Sequence, residues 1–230
     1  MDWGKTGIYP PRPSRNSICP QEERHRGDRR ELGEEIKVSI IIPTIKPESE
    51  LRNLITDIHR TVYYPLDLIV VSGDRSVACN TNIGLDKARG EFIIICGDDI
   101  EQLPDEWDKK LVDAMEVTGA SMVGPRLLNP DQSLQATNYN NFNLQSDYVQ
   151  VSTMITACSI FRSSKLHMDE GYKGSGYDDT DFCNQLGGTF FVANTVRMVH
   201  RNEKKNQFNE YNRTYFNKKW GLNGIHGSTT

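Results

Sequence analysis

Two pairs of adjacent aspartates, Asp98–Asp99 and Asp178–Asp179, and one late histidine, His200, are the residues of this chain whose type and spacing suit chemistry. The first pair ends the most apolar stretch, EFIIICGDDIEQLP, from Glu91 to Pro104. Phe92, Ile93, Ile94, Ile95 and Cys96 are too few for a helix and rich in β-branched residues, so they predict a buried strand of a parallel sheet. Open α/β sheets bind ligands at the C-terminal ends of such strands. Two carboxylates about 4 Å apart repel by roughly 4 kcal/mol at an effective dielectric of about 20. A divalent cation relieves that repulsion, and hard oxygen ligands suit magnesium or manganese. The competing reading is a solvated turn in which Asp98 or Asp99 caps the next helix. Asp178 and Asp179 face the same choice, since either can cap a helix beginning near Thr180. His200 closes a strand ahead of Arg201, Lys204 and Lys205; for a lone histidine, a surface or satisfied-core role competes with ligation.

The elements that must hold these residues follow from periodicity. KVSIIIPT is a strand ending on Pro43 and Thr44, and Leu51, Leu54, Ile55 and Ile58 then fall at helical spacing. DLIVVSGD is a second strand that ends in a Ser-Gly-Asp turn. Ser76 caps a helix expected to run to Arg89, and Gly90 stops it before the third strand. Trp107, Leu111, Ala114 and Met115 mark another amphipathic helix, with ASMVGP as a short strand after it. This alternation reads as a doubly wound nucleotide-binding sheet whose strand ends at Thr44, Asp74 and Asp99 converge on one crevice. Residues 126 to 150 suit a long loop or irregular strands, MITACSIF a buried strand, and GYKGSGYDDTDFCNQLGG a glycine-hinged loop entering a short helix that Gly187 closes. TFFVANTVRMVH alternates as a strand, and an aromatic helix with Phe208, Tyr211 and Tyr215 on one face follows.

The chain of 230 residues supports one substantial core, and its net charge of −4 argues against broad nucleic-acid binding. Residues 1–35, with prolines at 10, 11, 13 and 20 and the run QEERHRGDRRELGEE, read as a poorly ordered arm. Residues 36–222 read as one domain and 223–230 as a tail, with no internal repeat. No apolar run reaches the length of a bilayer span, and Met1 to Pro20 lacks a signal-peptide core, so the expectation is a cytoplasmic protein, with peripheral membrane association through partners. Cys19, Cys79, Cys96, Cys158 and Cys183 are odd in number and lack Cys-x-x-Cys spacing, which fits reduced thiols.

In order and spacing these motifs resemble the inverting family-2 glycosyltransferases of the GT-A fold, in the nucleotide-diphospho-sugar transferase superfamily. The resemblance covers roughly Val38 to Trp220. It rests on VSIIIPT, on NIGLDKARGEFIIICGDDIEQLPDEW, on YDDTDFCNQLGG, and on the late histidine with its basic residues. It implies a Rossmann-like, mostly parallel sheet flanked by helices. Residues 36–125 would form the nucleotide-binding half, and 126–222 an irregular half with the acceptor site and catalytic base. Pro43, Thr44, Asp74 and Arg75 would lie near the base and ribose, and Asn82 of the Asn-x-Gly would join the substrate-binding set. Gly97-Asp98-Asp99 corresponds to an Asp-x-Asp motif lacking its first carboxylate. Asp99 would then bind Mn2+ or Mg2+, with Asp98 reaching ribose or a metal-bound water and His200 as metal or phosphate ligand. Asp179 matches the catalytic base and Asp178 the place usually held by glutamate, while Asp181 reads as a dipole or loop-positioning residue. Lys204 and Lys205 would close over the diphosphate. Trp107 is expected in the core first and as a sugar-stacking platform second. Two departures stand out: SGDRS replaces the usual Asp-Asp-Gly-Ser, and Thr81 stands where arginine is common, a charge that Arg75 could supply.

The implied activity is metal-dependent, inverting transfer of a sugar from a UDP-, dTDP- or GDP-linked donor to a hydroxyl of a glycan, lipid-linked sugar or other acceptor, as in polysaccharide biosynthesis. A non-catalytic sugar-nucleotide or glycan-binding module on the same fold is the alternative. A nucleotidyltransferase ranks last, because IPTIKPESEL has no glycine-rich basic loop.

Overall fold

The computed structural model describes residues 37–73, 75–135, 145–202 and 208–222. The proposed arm at 1–35 and the tail at 223–230 lie outside the described residues, as do Asp74, Lys204 and Lys205. What is described belongs to one unit spanning Glu35–Thr230.

A sheet of eight strands forms its middle. β1 (Val38–Thr44) pairs in parallel with β2 (Asp67–Ser72) on one side and β3 (Phe92–Cys96) on the other. β7 (Cys158–Arg162) runs antiparallel between β3 and β5 (Met122–Leu128), and β5 pairs in parallel with β8 (Phe190–His200). Two short strands, β4 (Ile100–Glu101) and β6 (Tyr148–Val151), pair antiparallel with β8.

The continuous apolar runs of β1 and β3 follow from burial on both faces, because alternate side chains enter different cores. Ile40, Ile42, Phe92 and Ile94 pack with Leu54 and Ile58 of α1 (Glu48–Thr61) and Leu111 of α3 (Trp107–Thr118). Ile41, Ile93 and Ile95 pack on the opposite face with Ala78 of α2 (Val77–Leu85) and Phe182 of α4 (Asp178–Leu186). As expected from sequence, Ser76 caps α2 by accepting from the Cys79 N–H at 3.1 Å, but that helix stops at Leu85 rather than Arg89. Gly90 is required by space: a Cβ there would lie 2.5 Å from the Ser39 nitrogen. Cys79, Cys96, Cys158 and Cys183 are free thiols, and among the described residues no helix is long and apolar enough to cross a membrane.

The last helix, α5 (Asn209–Lys219), is anchored by Asp181. This fully buried carboxylate accepts from Tyr172 Oη at 3.1 Å, Gln185 Nε2 at 2.6 Å, Lys219 Nζ at 2.9 Å and Trp220 Nε1 at 2.8 Å. Its part is to fasten α4 to α5.

Two expectations are corrected. Trp107 is no sugar platform: it is wholly buried, at 0 % exposure, and its Nε1 donates to Thr61 Oγ1 at 3.2 Å. Its apolar stripe won over its stacking chemistry. Asn82 is committed to the chain itself: its Nδ2 donates to the Met168 carbonyl and to Glu170 Oε1, both at 2.9 Å, and its Oδ1 accepts from Met168 N–H at 2.8 Å. It clamps the segment leading to the glycine loop and offers no free group to a substrate. Truncating Trp107 to alanine is expected to cost about 3–5 kcal/mol, as for a large core aromatic, in urea denaturation. A loss under about 1 kcal/mol would contradict its place in the core.

Candidate active site

The site is assembled where β3 ends and β7 begins. Cys96 pairs with Cys158 at the close of their ladder, and Gly97 N–H then donates to the Ala157 carbonyl at 2.6 Å. A Cβ at position 97 would sit 3.1 Å from that carbonyl and 3.0 Å from Asp99 Oδ1. A side chain here would crowd both, so the glycine in place of a first aspartate suits this close turn.

Asp98 turns back toward β1. It accepts from Thr44 Oγ1 at 2.6 Å and pairs with Lys46 Nζ at 3.5 Å, and the same ammonium donates to its carbonyl at 3.3 Å. Thr44 is thus buried and engaged, and the β1–α1 loop is drawn over the acidic turn. Asp99 faces the other way. The short β4 pairs Ile100 with His200, and Arg201 N–H donates to the Asp99 carbonyl at 3.1 Å. His200 Nε2 consequently lies 3.4 Å from Asp99 Oδ1.

The remaining ring nitrogen, His200 Nδ1, is 2.8 Å from Gln135 Oε1. With Nδ1 donating to that oxygen, a neutral imidazole turns its Nε2 lone pair toward the Asp99 carboxylate. An acceptor facing an acceptor at this distance becomes attractive when a cation lies between them, either a proton on Nε2 or a metal ion. The pair therefore fits a divalent metal held by one carboxylate and one imidazole. Among the described residues there is no cluster of three or more His, Cys, Asp or Glu arranged for a metal, so further oxygens would come from phosphate and water.

Asp178 and Asp179 occupy the first turn of α4, where the helix dipole favours carboxylates. The turn is aimed by an unusual backbone. Gly174 and Gly176 have φ of 63° and 101°, and Tyr177 holds φ 67°, a left-handed conformation that side chains rarely adopt. Asn212 of α5, fully buried, secures this loop by accepting from Lys173 N–H at 2.9 Å and donating to the carbonyls of Lys173 at 2.8 Å, Ser175 at 3.3 Å and Gly176 at 3.0 Å.

Asp179 Oδ1 accepts from the Thr156 N–H at 3.1 Å and from its hydroxyl. Although Asp179 keeps some solvent exposure, protein atoms surround it densely enough that burial raises its pKa, an effect opposed by the two Thr156 bonds and by His200. The pKa of Asp178 is raised to about 7, first by burial and then by the charge of Asp179. Among the described residues its Oδ1 has no hydrogen-bond partner.

Asp98, Asp99, Thr156, Asp178, Asp179 and His200 share a cleft of about 320 Å3, with Pro43, Gln135, Ser175 and Gly176 also on its walls. A second cleft of about 650 Å3, lined by Lys46, Glu50, Asn53, Asp57 and Arg201, opens on the other side of the Asp98–Asp99 wall. Of the residues expected near a ligand, Pro43, Asp98, Asp99, Asp178, Asp179 and His200 are brought together. Arg75 is not among them: it is exposed, and its Nε donates at 3.0 Å to Asn80 Oδ1, while Asn80 Nδ2 donates to the Thr44 carbonyl at 3.0 Å. Thr81 is fully buried. Asp74 and Lys204 lie outside the described residues. Sequence reading missed Lys46, Gln135 and Thr156. A lysine two residues past the first strand was a usable signal, whereas Gln135 and Thr156 meet their partners only through space.

The sequence model of glycosyl transferase family 2 matches residues 73–168, a span that includes Asp98, Asp99 and Thr156 and ends before Asp179 and His200. No curated protein sequence matches the chain. Among solved structures, TarS 1–349 of S. aureus is similar at a TM-score of 0.52 and 11% identity, over 72% of this chain and 60% of that one. The same fragment in complex with UDP gives 0.53 and 12%, over 71% and 60%. GalNAc-T7 with UDP, GalNAc and Mn2+ gives 0.53 and 10%, over 81% of this chain and 48% of that one. The chain thus spans between about half and three fifths of the length of these structures, and at such identities the likeness speaks to fold.

The buried proton on Asp178 has a measurable consequence. Near neutrality the folded protein holds a proton that the unfolded chain, with a carboxylate pKa of about 4, has released, so unfolding free energy falls as pH rises from about 4 through 7. Asp178→Asn removes that dependence. In metal-free buffer it is expected to gain up to about 4 kcal/mol on the wild type between pH 4 and pH 8 in urea denaturation; equal pH slopes for the two proteins would overturn the assignment. Strand order, flanking helices and the matched segment agree: the chain has the GT-A fold and carries, over residues 73–168, the sequence pattern of glycosyl transferase family 2.

Proposed function

We propose that this protein is a metal-dependent, inverting glycosyltransferase that moves a sugar from a nucleoside diphosphate donor to a hydroxyl of a glycan or other acceptor. One observation supports this above the rest. A carboxylate–imidazole pair suited to a divalent cation and a carboxylate suited to act as base open into one cleft, at the strand ends where α/β sheets bind nucleotides. That the fold's solved relatives include TarS with UDP and GalNAc-T7 with UDP, GalNAc and Mn2+ agrees with a UDP-linked donor.

In this reading Asp99 and His200 hold Mn2+ or Mg2+, which when bound would neutralise charge on the departing diphosphate. Pro43 and the β1–α1 loop flank the nucleotide, and Asp74 and Lys204 are assigned to the donor side from sequence. Asp179 is the general base. Thr156 donates twice to Oδ1, which leaves Oδ2 to take the proton of the acceptor hydroxyl. As that proton moves, the acceptor oxygen forms its bond to the anomeric carbon on the face opposite the diphosphate, and the bond from that carbon to the diphosphate oxygen breaks. One displacement inverts the centre. Asp178, its pKa raised to about 7 by burial and by the charge of Asp179, adds less negative charge to the base's surroundings than an ordinary carboxylate would.

Two measurements test this. Thermal shift of the full chain with UDP, dTDP, GDP or CMP, each with and without Mn2+, is expected to show metal-dependent stabilisation by a single nucleoside diphosphate, about 2.7 kcal/mol at a hundredfold excess over Kd. No stabilisation by any of them would favour a glycan-binding module. With the donor known, Asp179→Asn should lower transfer by about 10²–10⁴-fold and leave donor affinity intact. Retained transfer would remove Asp179 as the base.

A further inference from the structure

We propose that Gln135 is a positioning residue that selects the tautomer of His200, fixing the proton on Nδ1 so that Nε2 is the ligand atom. This rests on the reading that Asp99 and His200 hold a divalent cation. Gln135 is polar yet only 5 % exposed, and it lies in the segment just after β5, where sequence offered no motif. Its backbone is pinned: Gln135 N–H donates to the Leu127 carbonyl at 3.1 Å, and Leu128 bridges to Leu134. The intervening turn is braced as well, with Asn129 N–H to the Ser133 carbonyl and Asn129 Nδ2 to Ser133 Oγ, both at 2.9 Å. The amide therefore meets His200 from a fixed place.

The orientation of that amide is decided by its other contacts. Gln135 Nε2 lies 3.3 Å from the His200 carbonyl and 3.3 Å from Asn129 Oδ1, and Asn129's own Nδ2 is spent on Ser133. A backbone carbonyl can only accept, so the nitrogen of Gln135 belongs beside it. The oxygen, Oε1, is then the atom 2.8 Å from His200 Nδ1, and it too can only accept. A hydrogen bond forms only with the proton on Nδ1. The reversed amide would oppose two oxygens at the His200 carbonyl. One side chain thus grips both the carbonyl and the ring of His200, setting the ring's tautomer and its plane, with Nε2 turned to Asp99 at 3.4 Å. Metal-bound histidines characteristically donate their second nitrogen to such a partner, and losing that partner typically costs 10–100-fold in metal affinity.

The test uses the full chain with 15N-labelled histidine and three variants: Gln135→Met, close in volume but without hydrogen-bonding groups; Gln135→Glu, which keeps an acceptor for Nδ1; and His200→Ala. Two quantities are read: the His200 tautomer from long-range 1H–15N correlation, and Mn2+ affinity in saturating UDP from the spin resonance of free Mn2+. The expected result is an Nδ1–H tautomer in the wild type, mixed tautomers and a 10–100-fold weaker Mn2+ affinity in Gln135→Met, and recovery of the Nδ1–H tautomer in Gln135→Glu. Wild-type His200 protonated on Nε2 alone would overturn the proposal. So would Gln135→Met matching the wild type in both readouts. If Gln135→Met does not fold, the wild-type tautomer and Gln135→Glu decide, and an Nε2–H tautomer in the latter counts against. Wild type that fails to bind Mn2+, or His200→Ala that binds it equally well, would overturn the metal reading and with it this proposal. A Gln135→Met variant unchanged beside a His200→Ala variant that has lost Mn2+ overturns the proposal alone.

Discussion

The hydrogen bond from Gly97 N–H to the Ala157 carbonyl, 2.6 Å long, carries the β3–β7 ladder one step past its last strand pair. Because β7 runs against β3, the chain enters β7 where it leaves β3. Residues 97–99 and 155–157 therefore lie side by side although far apart in sequence. On one side of this junction Asp98 and Asp99 diverge toward Thr44 and His200; on the other, Thr156 reaches Asp179. A parallel strand at this place would have put its C-terminal end beside Gly97 and carried its entry, with the Thr156 equivalent, to the far edge of the sheet. One antiparallel strand thus couples the half of the sheet suited to phosphates with the half suited to an acceptor.

The carboxylates divide into two kinds by how completely the protein satisfies them. Asp181 accepts from four side-chain groups, and Asp108 accepts the N–H groups of Tyr63 at 2.8 Å and Tyr64 at 3.0 Å, closing the end of α1. Both brace the fold. Asp178, also buried, has an oxygen without a hydrogen-bond partner among the described residues, and Asp179 is held there through Oδ1. A buried polar atom left unsatisfied costs about 1–3 kcal/mol, and Tyr177 adds a strained backbone at the same turn. Local costs gathered at one cleft mark a place where the chain is arranged for something besides stability.

How much was legible in the sequence follows from the range of each interaction. β1 and β3 were readable because burial on both faces leaves an unbroken run of Ile and Val, and α4 because its glycine loop, acidic first turn and Gly187 stop are contiguous. Asp99 and His200 were each readable as ends of strands. Their meeting was not, since it depends on β4, two residues long, pairing with the end of β8. Asn82 misled for the opposite reason, as did the second reading of Trp107, whose first was the core: their chemistry suited a ligand, but the protein interior claimed it, through the Met168 segment for one and Thr61 for the other.

Gly97 is the sharpest case of a residue whose meaning changes with the fold. Against the Asp-x-Asp pattern it looks like a lost ligand and an argument for a disabled site. At the junction it is the residue that lets the Ala157 carbonyl and the Asp99 carboxylate lie near 3 Å from its missing Cβ. A side chain there would crowd the Ala157 carbonyl and the Asp99 carboxylate by a few tenths of an ångström. On the proposed reading, with no first carboxylate, the protein's share of a metal shell would fall to Asp99 and His200. A shell completed mainly by phosphate and water holds the cation tightly only when the diphosphate is present. The same glycine that keeps the turn close would thereby link metal affinity to donor binding.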